Sequence, residues 1–330
     1  MLNKFKKAIC TLTLAMGVIS QVPAEELKVI NVGIISTEGQ MELSKSWEPM
    51  LKDYSKAIGM PVKAYFAPDY AGIIQAMRFK KVQIGYFGNK SAIEAVDRAN
   101  AELFARYIDD KGSQGYYSYL LASSDNKEIN NIQDVAAHKS ELTLGNGDPH
   151  STSGFLVPGF QAFAQNGIDT ADFKQSLNSN HSSNFMAVAH HKVDIATNNS
   201  HNVAKMKESH PDLYKKVKVI WKSTLLPSDV LTYDKTLPEA LKEKTRNFFV
   251  NYGTDGNKEA VAALAMLHFS GFAATDNTQL LPIRQMSVFK AMLSIKSDKA
   301  LTEAEKAPKL AKLQKQLDDL AVQVEVAHKK

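Results

Sequence analysis

Cysteine is all but missing from this chain of 330 residues, and Cys10 is its only one. It stands at the head of the first apolar run, Ile9 to Ile19, with apolar or small residues after it. That is poor placement for a lipoprotein cleavage cysteine. Once a leader containing it is removed, no disulfide, thiol nucleophile or thiolate metal ligand remains available. Long hydrophobic runs are missing too. The Ile9 to Ile19 run is shorter than the ~20 apolar residues a spanning helix needs, and no later stretch reaches membrane length. Neither charge dominates: 40 Lys and Arg face 35 Asp and Glu. No basic run is interleaved with aromatics, so nucleic acid is not an expected partner. There is no Walker loop, G-x-G-x-x-G or G-x-S-x-G, no short internal repeat and no low-complexity tract.

The first 24 residues read as a signal peptide. Lys4, Lys6 and Lys7 precede the apolar core, and Val22-Pro23-Ala24 offers compact residues before a cut at Glu25. Cleavage lowers the formal net charge of +5 by three, to +2. The mature protein is expected to be soluble outside the cytoplasmic membrane.

From Leu27 onward, apolar β-branched runs alternate with helical spacings. Leu27 to Ile35, Val62 to Phe66, Val82 to Phe87 and Leu103 to Ile108 read as buried strands. Trp47, Met50, Leu51, Tyr54 and Ile58 fall on one helical face, and Ile73, Ile74 and Met77 on another. This order predicts an α/β layer architecture, and the length suggests two lobes. A polar break at Ser123-Ser124-Asp125-Asn126 is taken as the first crossing between lobes, and Leu231-Thr232-Tyr233 as the return. The expected division is 25–122 with 232–330 for one lobe and 123–231 for the other. Near the C-terminus, Leu310, Leu313, Leu317, Leu320 and Val324 form a short heptad seam in a helix over 309–328. Packing on its own lobe and homodimer formation both remain open for it.

The most informative stretch is Gly145-Asn146-Gly147-Asp148-Pro149-His150-Ser151-Thr152-Ser153-Gly154, after a strand and before a helix. Glycines allow a sharp turn and close approach. The first amides of a helix lack internal partners, and the helix dipole favours an anion there. Ser151, Thr152 and Ser153 add hydroxyl donors, making a neutral cup suited to a tetrahedral oxyanion; simple helix capping is the plainer alternative. In open α/β sheets ligands gather at such strand-to-helix turns. Two more occur at Pro68-Asp69-Tyr70-Ala71-Gly72 and Phe87-Gly88-Asn89-Lys90-Ser91, and the first aims Tyr70 at a ligand. His181, in a polar stretch before a helix, would add charge if protonated. The histidines around it (His190, His191, His201, His210) are irregularly spaced, so no metal and no cofactor is expected. A hydrolytic set of Ser153, His181 and Asp229 is conceivable in sequence order, but three neighbouring hydroxyls suit multidentate binding better than one nucleophile. No catalytic residue is expected.

The chain closely resembles the periplasmic phosphonate-binding proteins of phosphonate ABC transporters. Val32 to Glu38, Phe66 to Gln75, Ser91 to Ala99, Gly145 to Gly159 and Val193 to Asn199 carry the resemblance. It implies a type II periplasmic-binding fold, with two α/β lobes joined by two crossing strands and the ligand in the cleft between them. It also implies the function: capture of a phosphonate, 2-aminoethylphosphonate or another alkylphosphonate, for delivery to a membrane permease. Phosphite, methylphosphonate or phosphate is the alternative ligand, and a secreted Ser-His hydrolase the remote alternative function. The family's phosphonate contacts match Ser151, Thr152, Ser153, Tyr70 and His181. Of two carboxylates that hold a ligand amino group, one matches Asp229; the other position is His201. A tyrosine position falls on Phe87, with Tyr86 adjacent.

Overall fold

The computed structural model describes residues 27–328, so the expected leader of 1–24 lies outside the described residues. The first apolar run becomes β1 (Ile30–Ile34), and the next helical face becomes α1 (Gln40–Ile58), which buries Leu43, Trp47, Met50, Leu51, Tyr54 and Ile58. Gly59 ends α1 at φ 70°, in the left-handed region where lacking a Cβ matters. There follow β2 (Val62–Tyr65), α2 (Tyr70–Arg78), β3 (Ile84–Phe87), α3 (Asn89–Arg98) and β4 (Ala101–Asp109). After β5 (Gly115–Tyr116) come β6 (Ser118–Ser123), α4 (Ile132–His138) and β7 (Thr143–Gly147). The helix expected after β7 is wound wide, in π turns over Thr152–Leu156 and Pro158–Phe163. Then come β8 (Gln175–Ser179), α5 (His181–Ala189), β9 (Ile195–Asn199), α6 (Ser200–Ser209), α7 (Pro211–Tyr214) and β10 (Val217–Lys222). The chain closes with β11 (Leu226–Pro227), β12 (Val230–Asp234), α8 (Glu239–Asn251), α9 (Lys258–Ala265), β13 (Phe269–Ala274), α10 (Leu281–Ser297) and α11 (Glu303–His328).

These strands form two mixed sheets, one in each lobe. The first has order β13-β4-β12-β3-β1-β2 and the second β10-β6-β9-β7-β8. A small antiparallel pair, β5 with β11, lies where the chain passes between them. Here the expected first crossing needs correction. β6 pairs with β9 and β10 in the second sheet, so the chain crosses over 110–117, ahead of the polar break at Ser123. The break is instead the turn that leaves the end of β6.

Strand alternation explains the cores. In the second lobe Leu120 and Ile195 face one apolar cluster while their neighbours Leu121 and Ala196 face another. The first lobe has one large core, where Tyr54, Phe104, Phe249 and Phe272 pack with ring centroids 5.1 to 5.8 Å apart. The C-terminal helix α11 packs along α10 of its own chain and buries Leu317 and Leu320 there. Those seam residues are used internally, which supports the first of the two readings left open for it and not a homodimer. Among the described residues no helix is long and apolar enough to cross a membrane.

Phe249 is fully buried amid these rings. Phe249→Ala should cost about 3–5 kcal/mol of stability, read as a lower urea midpoint with ligand-free protein.

Candidate ligand-binding cleft

Between the lobes, four helical segments begin side by side: α2 at Tyr70, α3 at Asn89, the π turns at Thr152 and α5 at His181. Close approaches locate them. A methyl group on Gly88 would lie 3.1 Å from Thr152 Oγ1 and 3.5 Å from Asp229 Oδ1; one on Gly154 would lie 2.9 Å from Ser151 Oγ and 3.1 Å from His181 Cε1. The positive ends of these helical segments therefore meet around one space.

The serine turn is held by its own chemistry. Ser151 Oγ accepts from the Gly154 amide at 2.9 Å, Thr152 Oγ1 from the Lys90 amide at 2.8 Å, and Ser153 Oγ from Asn199 Nδ2 at 3.4 Å. Each hydroxyl oxygen is engaged as an acceptor, and the Ser151 and Ser153 hydroxyls also bond the Tyr70 and Tyr116 phenols. Behind the turn, Ser118 and Thr197 hydroxyls donate to the carbonyls of Ser153 (2.6 Å) and Gly154 (2.7 Å). Asn184 Nδ2 donates to the carbonyls of Gly145, Asn146 and Thr197. Asn198 Nδ2 holds the His181 carbonyl at 2.8 Å. This buried network fixes the ends of β7, β9 and α5 together.

Away from the hydroxyls, the cavity is lined by Trp47, Tyr86, Tyr107, Tyr116, His201 and Asp229, with His181 joining the two regions. The cavity measures about 40 Å³. It suits a ligand of few atoms. Glu38 and Lys205, from opposite lobes, pair at 2.5 Å on its edge. Three further contacts join the lobes: Thr152 with the Lys90 amide, the Tyr70 amide with Asp148 Oδ2 at 3.1 Å, and His150 Nε2 with Glu94 Oε2 at 3.3 Å.

Burial sets the protonation states. Tyr70, Tyr86, Tyr107 and Tyr116 are pushed well above the usual phenol value by burial and then by the Asp229 charge, so they remain donors. The Tyr70 phenol reaches Ser151, and that of Tyr116 reaches both Ser153 and Asp229. Burial raises Asp229 to about 7, against the pull of hydrogen bonds from Tyr116 and Tyr86. Its Oδ1 is buried with no hydrogen-bond partner among the described residues. His181 is pushed down to about 4 by burial and His201 to about 3 by burial and the neighbouring His268. Both are neutral at pH 7, so the charged His181 expected from sequence is corrected: a dry site favours the uncharged ring. The protonated histidine is His150, raised to about 9 by Asp148 and then Glu94.

Of the residues singled out in the sequence, His181, His201 and Asp229 line this cavity; Ser153 stands behind Tyr116, Ser151 bonds the Tyr70 phenol, and Thr152 lies against Gly88. Phe87 does not line it, and its assignment is corrected. Alternation along β3 turns Tyr86 into the cleft and Phe87 into the core, where its ring covers Gly85. The second cleft tyrosine beside Asp229 is Tyr116, which sequence reasoning passed over as part of a buried strand. The asparagines were passed over as well; the signal for them was polar Asn198-Asn199 ending an otherwise apolar strand. The histidine-rich stretch assembles no ligand set of its own among the described residues.

Comparison with known proteins shows the family and the fold. Residues 32–280 match the family model described as "ABC transporter, phosphonate, periplasmic substrate-binding protein". The chain is 50% identical over 296 residues to the phosphonates-binding periplasmic protein of Escherichia coli K12, covering 90% of this chain and 87% of that one. A binding protein component of a phosphonate ABC transporter from Pseudomonas aeruginosa superposes with TM-score 0.88 at 47% identity, over 91% of this chain and 99% of that one. A Prochlorococcus marinus protein solved with methylphosphonate shares the fold, with TM-score 0.71 at 20% identity over 78% and 97% of the two chains.

Two outcomes follow from the site's construction. A Cβ on Gly147 would lie 2.5 Å from the Gly154 carbonyl oxygen and 2.6 Å from its Cα. Gly147→Ala must therefore displace the serine turn and cost about 1–3 kcal/mol, visible as a lower denaturant midpoint. The histidines set the pH profile. In the unfolded chain they titrate near 6.5, but folded His181 and His201 do so near 4 and 3. The unfolded state thus binds more protons as pH falls from 6.5 to 4, and stability drops over that window. His150 acts in the opposite sense: its contribution is complete below 6.5 and is lost as pH rises through 9. Urea midpoints against pH should show both limbs, with His181→Gln flattening the acid one and His150→Gln the alkaline one.

Proposed function

The chain belongs to the family of periplasmic substrate-binding proteins of phosphonate ABC transporters, and from that premise we propose that it captures a small phosphonate between its lobes and hands it to a membrane permease. The observation that carries this reading is the Ser151-Thr152-Ser153 turn. Three hydroxyls, each accepting one hydrogen bond, stand together where the starts of α2, α3, α5 and the π turns meet. Charge-assisted hydrogen bonds from neutral donors hold an oxyanion there. The ligand's other end meets Asp229, whose free oxygen calls for a donor, and neutral His201 where other members carry a second carboxylate. A short tail with one donating group fits that end. Release into the periplasm after leader cleavage is part of the same proposal, and the lobes are taken to pivot on 110–117 and 223–229.

Capture without chemistry is favoured over hydrolysis. A serine hydrolase needs a base bonded to its nucleophile and oriented by a third group. Among the described residues His181 Nδ1 has no partner, and Ser153 is engaged by Asn199 and Tyr116.

Calorimetry with 2-aminoethylphosphonate, methylphosphonate and phosphate tests this. Both phosphonates should bind, without turnover. Thr152→Val should lower affinity for both at least tenfold, since it removes a donor aimed at the shared group. Asp229→Asn should weaken 2-aminoethylphosphonate alone. Binding of phosphate in preference to either phosphonate would sink the proposal.

A further inference from the structure

Outside the ligand cavity, at the rim of the cleft, three side chains from the two lobes converge. Asp110 follows β4 and His268 precedes β13, both in the first lobe, while Glu208 stands on α6 in the second. His268 Nδ1 lies 3.8 Å from Asp110 Oδ2 and 3.9 Å from Glu208 Oε2, and the potential ligand atoms all lie within 4.8 Å of one another. Two carboxylates this close repel unless a cation sits among them, either the imidazolium of His268 itself or a metal ion that the imidazole helps to hold.

Two of the three groups are placed in advance by backbone. His268 is a non-glycine residue at φ 55°, a conformation that surrounding contacts must hold. Its amide donates to Ala265 O at 3.0 Å and its carbonyl accepts from the Asp110 amide at 3.1 Å. Glu208 is two-thirds exposed and comes from the opposite lobe, so it meets the pair only when the lobes are together. On its inner side, His268 lies edge-on to His201, ring centroids 5.9 Å apart, and His201 lines the ligand cavity.

We propose that Asp110, Glu208 and His268 form a binding site for a divalent transition-metal ion, best suited to Zn²⁺, which ties the two lobes together at the cleft rim. One imidazole and two carboxylates, with a water as fourth ligand, can complete a tetrahedral zinc set. Zinc–ligand bonds of about 2.0–2.2 Å put ligand atoms about 3.3–3.6 Å apart. The histidine distances need to shorten by about 0.4 Å and the two carboxylates, within 4.8 Å of each other, by up to about 1.3 Å, a movement the exposed Glu208 can supply. Because the ligands come from both lobes, bound metal favours closure. Metal and cleft ligand then raise each other's affinity by the same factor. That coupling rests on the proposed phosphonate capture; the metal site itself does not.

The test uses tag-free protein stripped with chelator and titrated with ZnCl2 alone. One Zn²⁺ per chain should bind, with affinity lowered at least tenfold in Glu208→Gln and in Asp110→Asn, and MgCl2 and CaCl2 should not substitute. Equal zinc binding by the parent protein and both variants, or none by any, overturns the site. Methylphosphonate is then titrated with and without one equivalent of zinc. Its affinity should rise several-fold with zinc in the parent protein and stay unchanged in Glu208→Gln. Zinc binding at this site with no effect on methylphosphonate affinity overturns the lobe-tying role. Failure of methylphosphonate to bind metal-free protein counts against the capture reading, while the zinc titration still decides the metal site by itself.

Discussion

The proposed cleft rests on three buried hydroxyls held in place by bonds from other parts of the chain. A serine or threonine hydroxyl rotates freely in water and has no preferred partner. Here each oxygen accepts from a fixed donor: the Gly154 amide, the Lys90 amide and the Asn199 side chain. Two of them also bond phenols, Ser151 with Tyr70 and Ser153 with Tyr116. The donors are fixed in turn by the buried Asn184, Asn198 and Thr197 bonds to backbone carbonyls. Such a network is costly if any member is unpaired and rigid when all are paired. The asparagines are thus as necessary to the site as the residues a ligand would touch.

The one lysine lining the cavity among the described residues, Lys205, is already paired with Glu38. A buried lysine or arginine would need a permanent partner when the cleft is empty. Helix termini and hydroxyls carry only partial charges, so the empty closed site costs less. Even so, it is not fully satisfied. His181 Nδ1 and Asp229 Oδ1 are both buried without a partner among the described residues, and Asp229 Oδ1 lies near the Thr152 hydroxyl, each within 3.5 Å of where a Cβ on Gly88 would stand.

Much of this was legible in the sequence, because local signals carried it. The serine turn, Tyr70 and His181 each stand at a strand-to-helix junction, and such junctions gather at one edge of a sheet whatever the remaining topology. What was illegible depended on pairing. Whether Tyr86 or Phe87 faces the cleft is fixed by the register of β3 between β1 and β12, which alternation alone does not supply. Tyr116 stands on a two-residue strand paired with β11, more than a hundred residues onward, and no local pattern marks it. The first crossing was misplaced for the same reason: β6 reads as apolar whichever sheet it joins. Protonation was hidden as well, since His181 is neutral and His150 charged only because of what folding packs against them.

Asp229 shows how binding and closure are joined. It lies on the return crossing between β11 and β12, so it belongs to neither lobe's interior, while the serine turn starts in the second lobe and Tyr70 in the first. A ligand touching all three reads the positions of both lobes and the connection between them. Partly exposed interlobe pairs such as His150 with Glu94 contribute about 0–1 kcal/mol each. Apolar contact adds to them: Leu156 and Val157 of the second lobe pack with Ile93 and Ile283 of the first. Charge-assisted bonds to a ligand, made in full only when the lobes meet, would favour the closed arrangement further.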